Sequence, residues 1–251
     1  PCYIRFGKEE FRDGVDLNTK EFYKKLITSD IHPNTAQPSP GNFVEIYNKL
    51  AESTDSIVSI HISSKLSGVY NSAIQAKKLV DSKCRIEVVD SLFNSAGLGL
   101  ITLTAAKLAN SGANLDSVIA EVKKAISEVK MLGIFDTLKY MVRGGRITKL
   151  KGTIASVIGI KPMLTFRYGE IIQSGLARTY SKGMDKLVTF VKDNMPVTNL
   201  SISHSDFKEG ALDLKERLAN IFPGEIFISE LGPALGVHGG PGVLLLALRR
   251  E

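Results

Sequence analysis

Ser63-Ser64-Lys65-Leu66-Ser67-Gly68-Val69-Tyr70-Asn71-Ser72-Ala73 is the stretch whose reading decides the fold. Ahead of it, residues 57–62 (Ile-Val-Ser-Ile-His-Ile) form a β-branched run bounded by Asp and Ser, which predicts a buried strand. Behind it, Val69, Ala73, Ala76 and Val80 recur at helical spacing until Asp81-Ser82-Lys83 breaks the pattern. The stretch is therefore a strand-to-helix turn. Such a turn directs the first backbone N–H groups of a helix beyond the edge of the sheet, where their partial positive charge suits an anion. Three serines and Gly68 add hydroxyl donors and a close backbone approach. Ser67 fits equally well as a plain helix cap, accepting from the N–H of Tyr70 or Asn71. The two roles are compatible, because a capping hydroxyl accepts through its oxygen and still has a proton to donate.

Working toward the C-terminus, residues 85–91 (Arg-Ile-Glu-Val-Val-Asp-Ser) read as a second strand. Two successive strand-loop-helix units predict a parallel sheet with right-handed crossovers. Helices follow over 95–109 and, after an Asn114 cap, over 115–129. Asp90 is placed like a ribose-binding acid, but no GxGxxG accompanies it and no phosphate-binding P-loop is present. From Met131 the texture changes. A strand is expected over 132–138, a glycine turn at Arg143-Gly144-Gly145-Arg146, and a helix over 149–158. Residues 163–166 and 171–173 flank Tyr168-Gly169-Glu170 as a hairpin, and Arg178 follows it. A helix at 181–194, a strand at 200–204, a helix at 208–221 and a strand at 225–229 complete a layer of mixed pairing. Gly236, Gly239, Gly240, Pro241 and Gly242 then surround His238 in what reads as a loop, ahead of a buried strand at 243–248. Such a histidine is either a ligand-facing group or a hydrogen-bonded structural one.

Working toward the N-terminus, residues 2–6 alternate as a strand, Gly7 allows a turn, and residues 8–12 return as a small ribbon. Asn18 and Glu21 resemble a capping box for a helix presenting Phe22, Tyr23, Leu26 and Ile27. Three prolines between Pro33 and Gly41 exclude regular structure there and stiffen the connection. That stiff loop either presents Thr35 and Gln37 to a ligand or merely leads into a helix carrying Phe43, Ile46, Tyr47 and Leu50.

Composition narrows the classes. At 251 residues and 43% apolar content, the chain has enough mass for one large or two modest domains. The change of texture favours two, divided at 1–130 and 131–251. No run of eighteen apolar residues and no signal peptide is visible, so a soluble, cytoplasmic protein is expected. Cys2 and Cys84 are isolated, which argues against a disulfide framework or a thiolate metal site. The net charge of +6 is dispersed among Asp and Glu, so acidic small ligands or partners are expected rather than nucleic acid.

TAQPSPG (35–41), ISSKLSGVYNSA (62–73), VVDS (88–91), RGGRI (143–147), IKPML (160–164), ART (177–179) and LGPALGVHGGPG (231–242) occur together in one order and spacing. In this the chain resembles the DegV family, the bacterial fatty acid-binding carrier subunits of fatty acid kinase that feed phospholipid synthesis. The resemblance spans nearly the whole sequence. It implies an N-terminal Rossmann-like parallel-sheet domain and a C-terminal α/β domain with a mixed sheet. It implies a non-enzymatic carrier with no cofactor and no metal, holding a long-chain fatty acid whose carboxylate lies near the domain interface. The partner it implies is the kinase's catalytic subunit, which phosphorylates that carboxylate. Carried across residue by residue, Thr35, Ser67 and Gly68 are the carboxylate-site residues, His238 completes their hydrogen-bond network, and Arg178 is the basic residue facing the head group and the kinase. Ala36, Val69 and Gly240 stand where the family commonly has serine, threonine and threonine. The family's first strand, with its Thr-Asp-Ser loop, has no counterpart here, which is expected to reflect a truncated chain.

Two rivals follow from the residues alone. One is a serine esterase with Ser67 as nucleophile, His238 as base and Asp90 or Asp206 orienting it, although GxSxG is missing. The other is a sugar or dihydroxyacetone kinase-like enzyme with a covalent histidine at 238, for which nucleotide and magnesium motifs are missing.

Overall fold

The computed structural model describes residues 1–81, 83–147 and 159–251; the helix expected over 149–158 lies outside them. Strands β1 (Tyr3–Phe6) and β2 (Glu9–Arg12) make the expected antiparallel ribbon, turning at Gly7 with φ +62°. Helix α1 (Thr19–Thr28) starts where the Asn18 side chain accepts from the Glu21 N–H, and it buries Phe22, Tyr23 and Leu26. The proline-rich segment departs from expectation. Asn34–Ala36 is a strand, β3, antiparallel to the other side of β1 with Thr35 opposite Ile4. Pro33 and Pro38 flank the paired residues, so their missing N–H groups take nothing from the ladder. Helix α2 (Pro40–Ala51) is closed by a reciprocal Ser39–Asn42 box and buries Tyr47, while Ile46 and Leu50 are exposed.

Next come β4 (Ser56–His61), α3 (Val69–Leu79) and β5 (Arg85–Asp90), with β4 and β5 parallel and Ile57 opposite Ile86. This is the crossover unit expected from the sequence. The cap is a correction: Gly68, not Ser67, is the N-cap of α3, and the Ser67 hydroxyl accepts from the Val69 N–H at 3.4 Å. The cause is the preceding turn, in which the N–H groups of Leu66 and Ser67 both bind the Ser63 carbonyl and hold Ser67 outside the helix.

Helices α4 (Ser95–Asn110) and α5 (Leu115–Glu128) lead into β6 (Val129–Ile134), which begins at Val129 rather than at residue 132. Lys130 breaks the apolar run in the sequence, but its ammonium reaches the Asn194 amide oxygen at 2.7 Å while its neighbours are buried. The expected strand over 132–138 therefore stops early, and a short helix α6 (Lys139–Arg143) precedes the glycine turn. Then follow β7 (Lys161–Arg167), β8 (Glu170–Ala177), α7 (Tyr180–Lys192), β9 (Val197–Ser205), α8 (Lys208–Leu218), β10 (Ile226–Glu230), α9 (Pro233–Gly239) and β11 (Val243–Arg250). The glycine-rich segment around His238 is thus helical rather than a loop. Pro233 suits its first turn, where no N–H partner is needed. Gly236 lets it approach α1, since a Cβ there would stand 2.4 Å from the Phe22 ring.

Six strands form one mixed sheet in the order β10-β9-β11-β6-β7-β8, in which only β9 and β10 pair in parallel. Strand β11 shows why its sequence is a continuous apolar run. Val243, Leu245 and Ala247 pack with α4 and α5 on one face, and Leu244, Leu246 and Leu248 pack with α7 and α8 on the other. Each such leucine contributes roughly 1.5–3 kcal/mol of transfer free energy. A third cluster joins β1 and α1 to α9 through Ile4, Phe22 and Val237, and this fixes the helix that carries His238.

Candidate functional site

A cavity of about 320 Å³ is lined by β3, the end of β4, the turn before α3, the start of α4, strands β6, β7 and β11, and α9. Most of its wall is apolar, with Met131, Phe135, Leu164, Phe166, Ile171 and Leu245 prominent. The polar residues gather from distant parts of the chain. Thr35, Ser67 and His238 all line this cavity, as the sequence reading requires of a shared site. The Thr35 hydroxyl lies 3.0 Å from His238 Nε2. Gly68 does not line the cavity, but it packs on Gln37, which does; a Cβ at Gly68 would stand 2.7 Å from Gln37 Nε2. The bare backbone of Gly68 thus leaves room for the Gln37 amide in its present position.

The environment of His238 fixes its chemistry. Burial, then the nearby Arg146 guanidinium and His32, pull its pKa down to about 4, so the ring is neutral at physiological pH. Its Nδ1 is buried without a hydrogen-bond partner among the described residues, against the backbone of Gly144; a Cβ at Gly144 would be 2.1 Å from that nitrogen. A buried N–H with no acceptor is costlier than an unshared lone pair, so the proton belongs on Nε2, which donates to the Thr35 oxygen. The Thr35 proton is then free to donate into the cavity. Ser67 is in the same state, because its oxygen accepts from the Val69 N–H and its proton has no acceptor among the described residues. Two hydroxyl donors thus face one space, backed by an oriented imidazole.

A cation completes this corner, and the sequence reading missed it. Arg146 lines the cavity and is itself exposed; its Nη1 donates to the Gly144 carbonyl at 2.7 Å and its Nε to the Leu66 carbonyl at 3.4 Å. The glycine turn between two arginines was visible in the sequence, but nothing there shows that it meets the turn before α3. Arg178 is exposed at the bend between β8 and α7 and is not among the cavity-lining residues.

The positions that depart from the family pattern acquire reasons. Ala36 and Val69 both line the cavity and make this corner less hydroxylated. Gly240 has φ +70°, and a Cβ there would meet the Tyr140 ring at 2.1 Å, so a threonine does not fit beside that tyrosine.

The esterase arrangement is not what these contacts make. A triad acid would hold His238 Nδ1, which has no partner among the described residues, and Nε2 engages Thr35 rather than Ser67. The Asp90 carboxylate instead accepts from the backbone N–H groups of Ser64 and Leu92, bracing the two loops beside the cavity. Asp206 lies with His204 and Glu230 around a separate surface pocket. Among the described residues no group of His, Cys, Asp and Glu is arranged to hold a metal ion, and no helix is long and apolar enough to cross a membrane.

The hairpin β7–β8 closes over one side of this space. Phe166 and Ile171 line the cavity, and at the turn between them the Gly169 carbonyl accepts from the fully buried Ser63 hydroxyl at 2.7 Å. Gly169, at φ +82°, leaves no room for a Cβ beside that hydroxyl.

A small parallel pair, a larger mixed sheet and an apolar cavity bearing hydroxyl donors define a class of mixed α/β folds. Within it, the chain belongs to the DegV family: the family model described as "Uncharacterised protein, DegV family" matches residues 1–251. A DegV domain-containing protein of Caldanaerobacter subterraneus subsp. tengcongensis is 32% identical over 245 residues, covering 96% of this chain and 87% of that one. Among solved structures, a fatty acid-binding DegV family protein from Thermus thermophilus superposes with TM-score 0.92 at 29% identity, over 100% of this chain and 91% of the other. The Streptococcus pneumoniae fatty acid kinase B3 protein, loaded with linoleic acid, shares the fold with TM-score 0.91 at 21% identity, over 100% and 90%.

Proposed function

We propose that this protein binds a long-chain fatty acid, with the acyl tail in the apolar cavity and the carboxylate at Thr35 and Ser67, and presents the head group to the catalytic subunit of a fatty acid kinase. One observation carries the reading: the Thr35 hydroxyl, oriented by a neutral His238, opens with Ser67 onto a largely apolar cavity. A buried carboxylate is costly unless donors meet it, and these two hydroxyls with Arg146 nearby are such donors. Affinity comes from the tail. Roughly 14 methylenes at about 0.8 kcal/mol each give on the order of 10 kcal/mol before ordering costs.

Within this reading the Thr35, Ser67 and His238 set holds the carboxylate beside Arg146, while the exposed Arg178 stands outside it, where a second protein can reach. Planar guanidinium groups suit the oxygens of an acyl phosphate. The kinase supplies the phosphoryl transfer, and this chain contributes binding and orientation. Native mass spectrometry of the purified protein tests the proposal: a complex heavier than the chain by a fatty acid is expected. Protein that carries no lipid and takes none up when mixed with oleic acid would overturn it.

A further inference from the structure

The carboxylate corner makes no use of a second histidine on the cavity, His61 at the end of β4. Ser59 and His61 share one face of that strand. His61 Nε2 lies 2.7 Å from the Ser59 hydroxyl, and the Ser59 hydroxyl lies 2.6 Å from the hydroxyl of Tyr47 on α2. The Phe43 ring packs edge-on against the imidazole with centroids 5.2 Å apart. The ring is therefore held in place by one nitrogen and by packing, and burial keeps it in the neutral form. Nδ1 is its remaining hydrogen-bonding atom.

The relay decides what Nδ1 asks of a ligand. If protons run from Tyr47 through Ser59 to Nε2, Nδ1 carries the ring proton and is a donor; if they run the other way, it is an acceptor. A hydroxyl group satisfies either state, because it both donates and accepts. A methylene satisfies neither. Of the relay only His61 lines the cavity, beside Ile60 and Ile62 and apart from the Thr35–His238 pair. From this we infer that His61 is a specificity-determining residue, selecting a long-chain acid that bears a hydroxyl on its tail over the unsubstituted acid.

This inference rests on the fatty-acid reading of the cavity, and the experiment separates the two. Delipidated protein is titrated calorimetrically with octadecanoic acid and with octadecanoic acids hydroxylated at successive positions along the tail. At least one positional isomer is expected to bind about three- to tenfold tighter than the parent, the yield of one neutral hydrogen bond. In His61→Phe the preference should reverse, since a buried tail hydroxyl without a partner loses its hydration. Ser59→Ala, which frees the ring but leaves His61 in place, should shrink the preference without reversing it. It supports a conclusion on its own should His61→Phe fail to fold. Octadecanoic acid binding with no isomer preferred, or a preference that survives both substitutions, overturns the inference and leaves the carrier reading intact. An equal loss of every ligand in His61→Phe overturns it too and assigns His61 to the head group. Failure of all the acids to bind wild-type protein sinks the carrier reading itself, and the inference with it.

Discussion

The polar corner and the apolar wall of the cavity are assembled in opposite ways. Thr35, Ser67, Arg146 and His238 come from four segments separated by tens of residues, and they meet through a few side-chain and backbone contacts. Met131, Leu164 and Leu245 come from the six-stranded sheet, where β6 lies between β7 and β11 and the same residues also belong to the main apolar core. In the proposed reading the wall is thus shared between ligand and fold, whereas the corner serves the ligand nearly alone. A substitution in the wall is expected to alter stability and binding together. One in the corner should separate them.

The largest expected effect tests the shared wall. Leu245 is 7% exposed, and its methyl group fills the space beside Gly133, where a Cβ would stand 2.4 Å away. Leu245→Ala should cost roughly 2–5 kcal/mol of unfolding free energy by enlarging an existing cavity, and should weaken fatty-acid binding as well. Thr35→Val, which keeps the shape and loses the bond to His238, should cost only about 1 kcal/mol of stability. Paired urea titrations with and without ligand measure both. Equal stability losses in the two variants would dissolve the distinction.

A smaller effect, confined to the corner, comes from His238. Its folded pKa, about 4, lies below the ordinary value of 6.5, so between those pH values the unfolded chain binds a proton that the folded one refuses. The associated stability is fully present above about pH 6.5 and is lost as pH falls toward 4, by up to about 3 kcal/mol. A bound carboxylate favours the imidazolium, so the ligand should raise the His238 midpoint and flatten this loss. Histidine ring resonances followed by NMR during a pH titration, with and without fatty acid, provide the check, and His238→Asn removes the contribution that His32, His61 and His204 do not supply. Superimposable His238 curves in the two states would leave the carboxylate to Thr35 and Ser67.

What the sequence discloses follows the same division. The corner is legible where backbone punctuation marks it: the Ser-Gly turn before α3, the prolines around Thr35 and the glycines around His238 are local signals with local causes. Even there the conformation differs from what the local signals predict. The prolines flank a strand rather than abolish it, and the glycines around His238 serve a helix that must pass close to Phe22 and Tyr140. Arg146 was visible only as half of a glycine turn, because its role depends on meeting the carbonyl of Leu66 across 80 residues. The wall was not legible at all. The continuous apolar run of β11 shows that both of its faces are buried, but which of the two opens onto a cavity depends on what the opposing layer leaves unfilled. Strand pairing is more legible than boundaries, since the parallel β4–β5 pair follows from two apolar runs whereas one lysine hides the start of β6.

The smallest expected effect on binding is at Arg178, and it sharpens the comparison by setting the corner against the surface outside it. Arg178 is exposed and does not line the cavity, so Arg178→Ala should change fatty-acid affinity by no more than about 0.5 kcal/mol, as for surface substitutions generally. Ser67→Ala removes a donor that faces the cavity and should weaken affinity by about 1–3 kcal/mol, because part of the carboxylate is then unpaired. With the catalytic subunit of the kinase and ATP added, the order should invert. Lipid-saturated Ser67→Ala still offers a head group to a partner that recognises the outer surface, whereas Arg178→Ala lacks a guanidinium that the partner or the developing acyl phosphate uses. Calorimetric affinity and acyl-phosphate formation, measured on both variants at saturating lipid, separate the roles. Arg178→Ala that loses affinity and turnover in equal measure would move that arginine into the carboxylate site, and one that loses neither would remove it from the partner-facing surface.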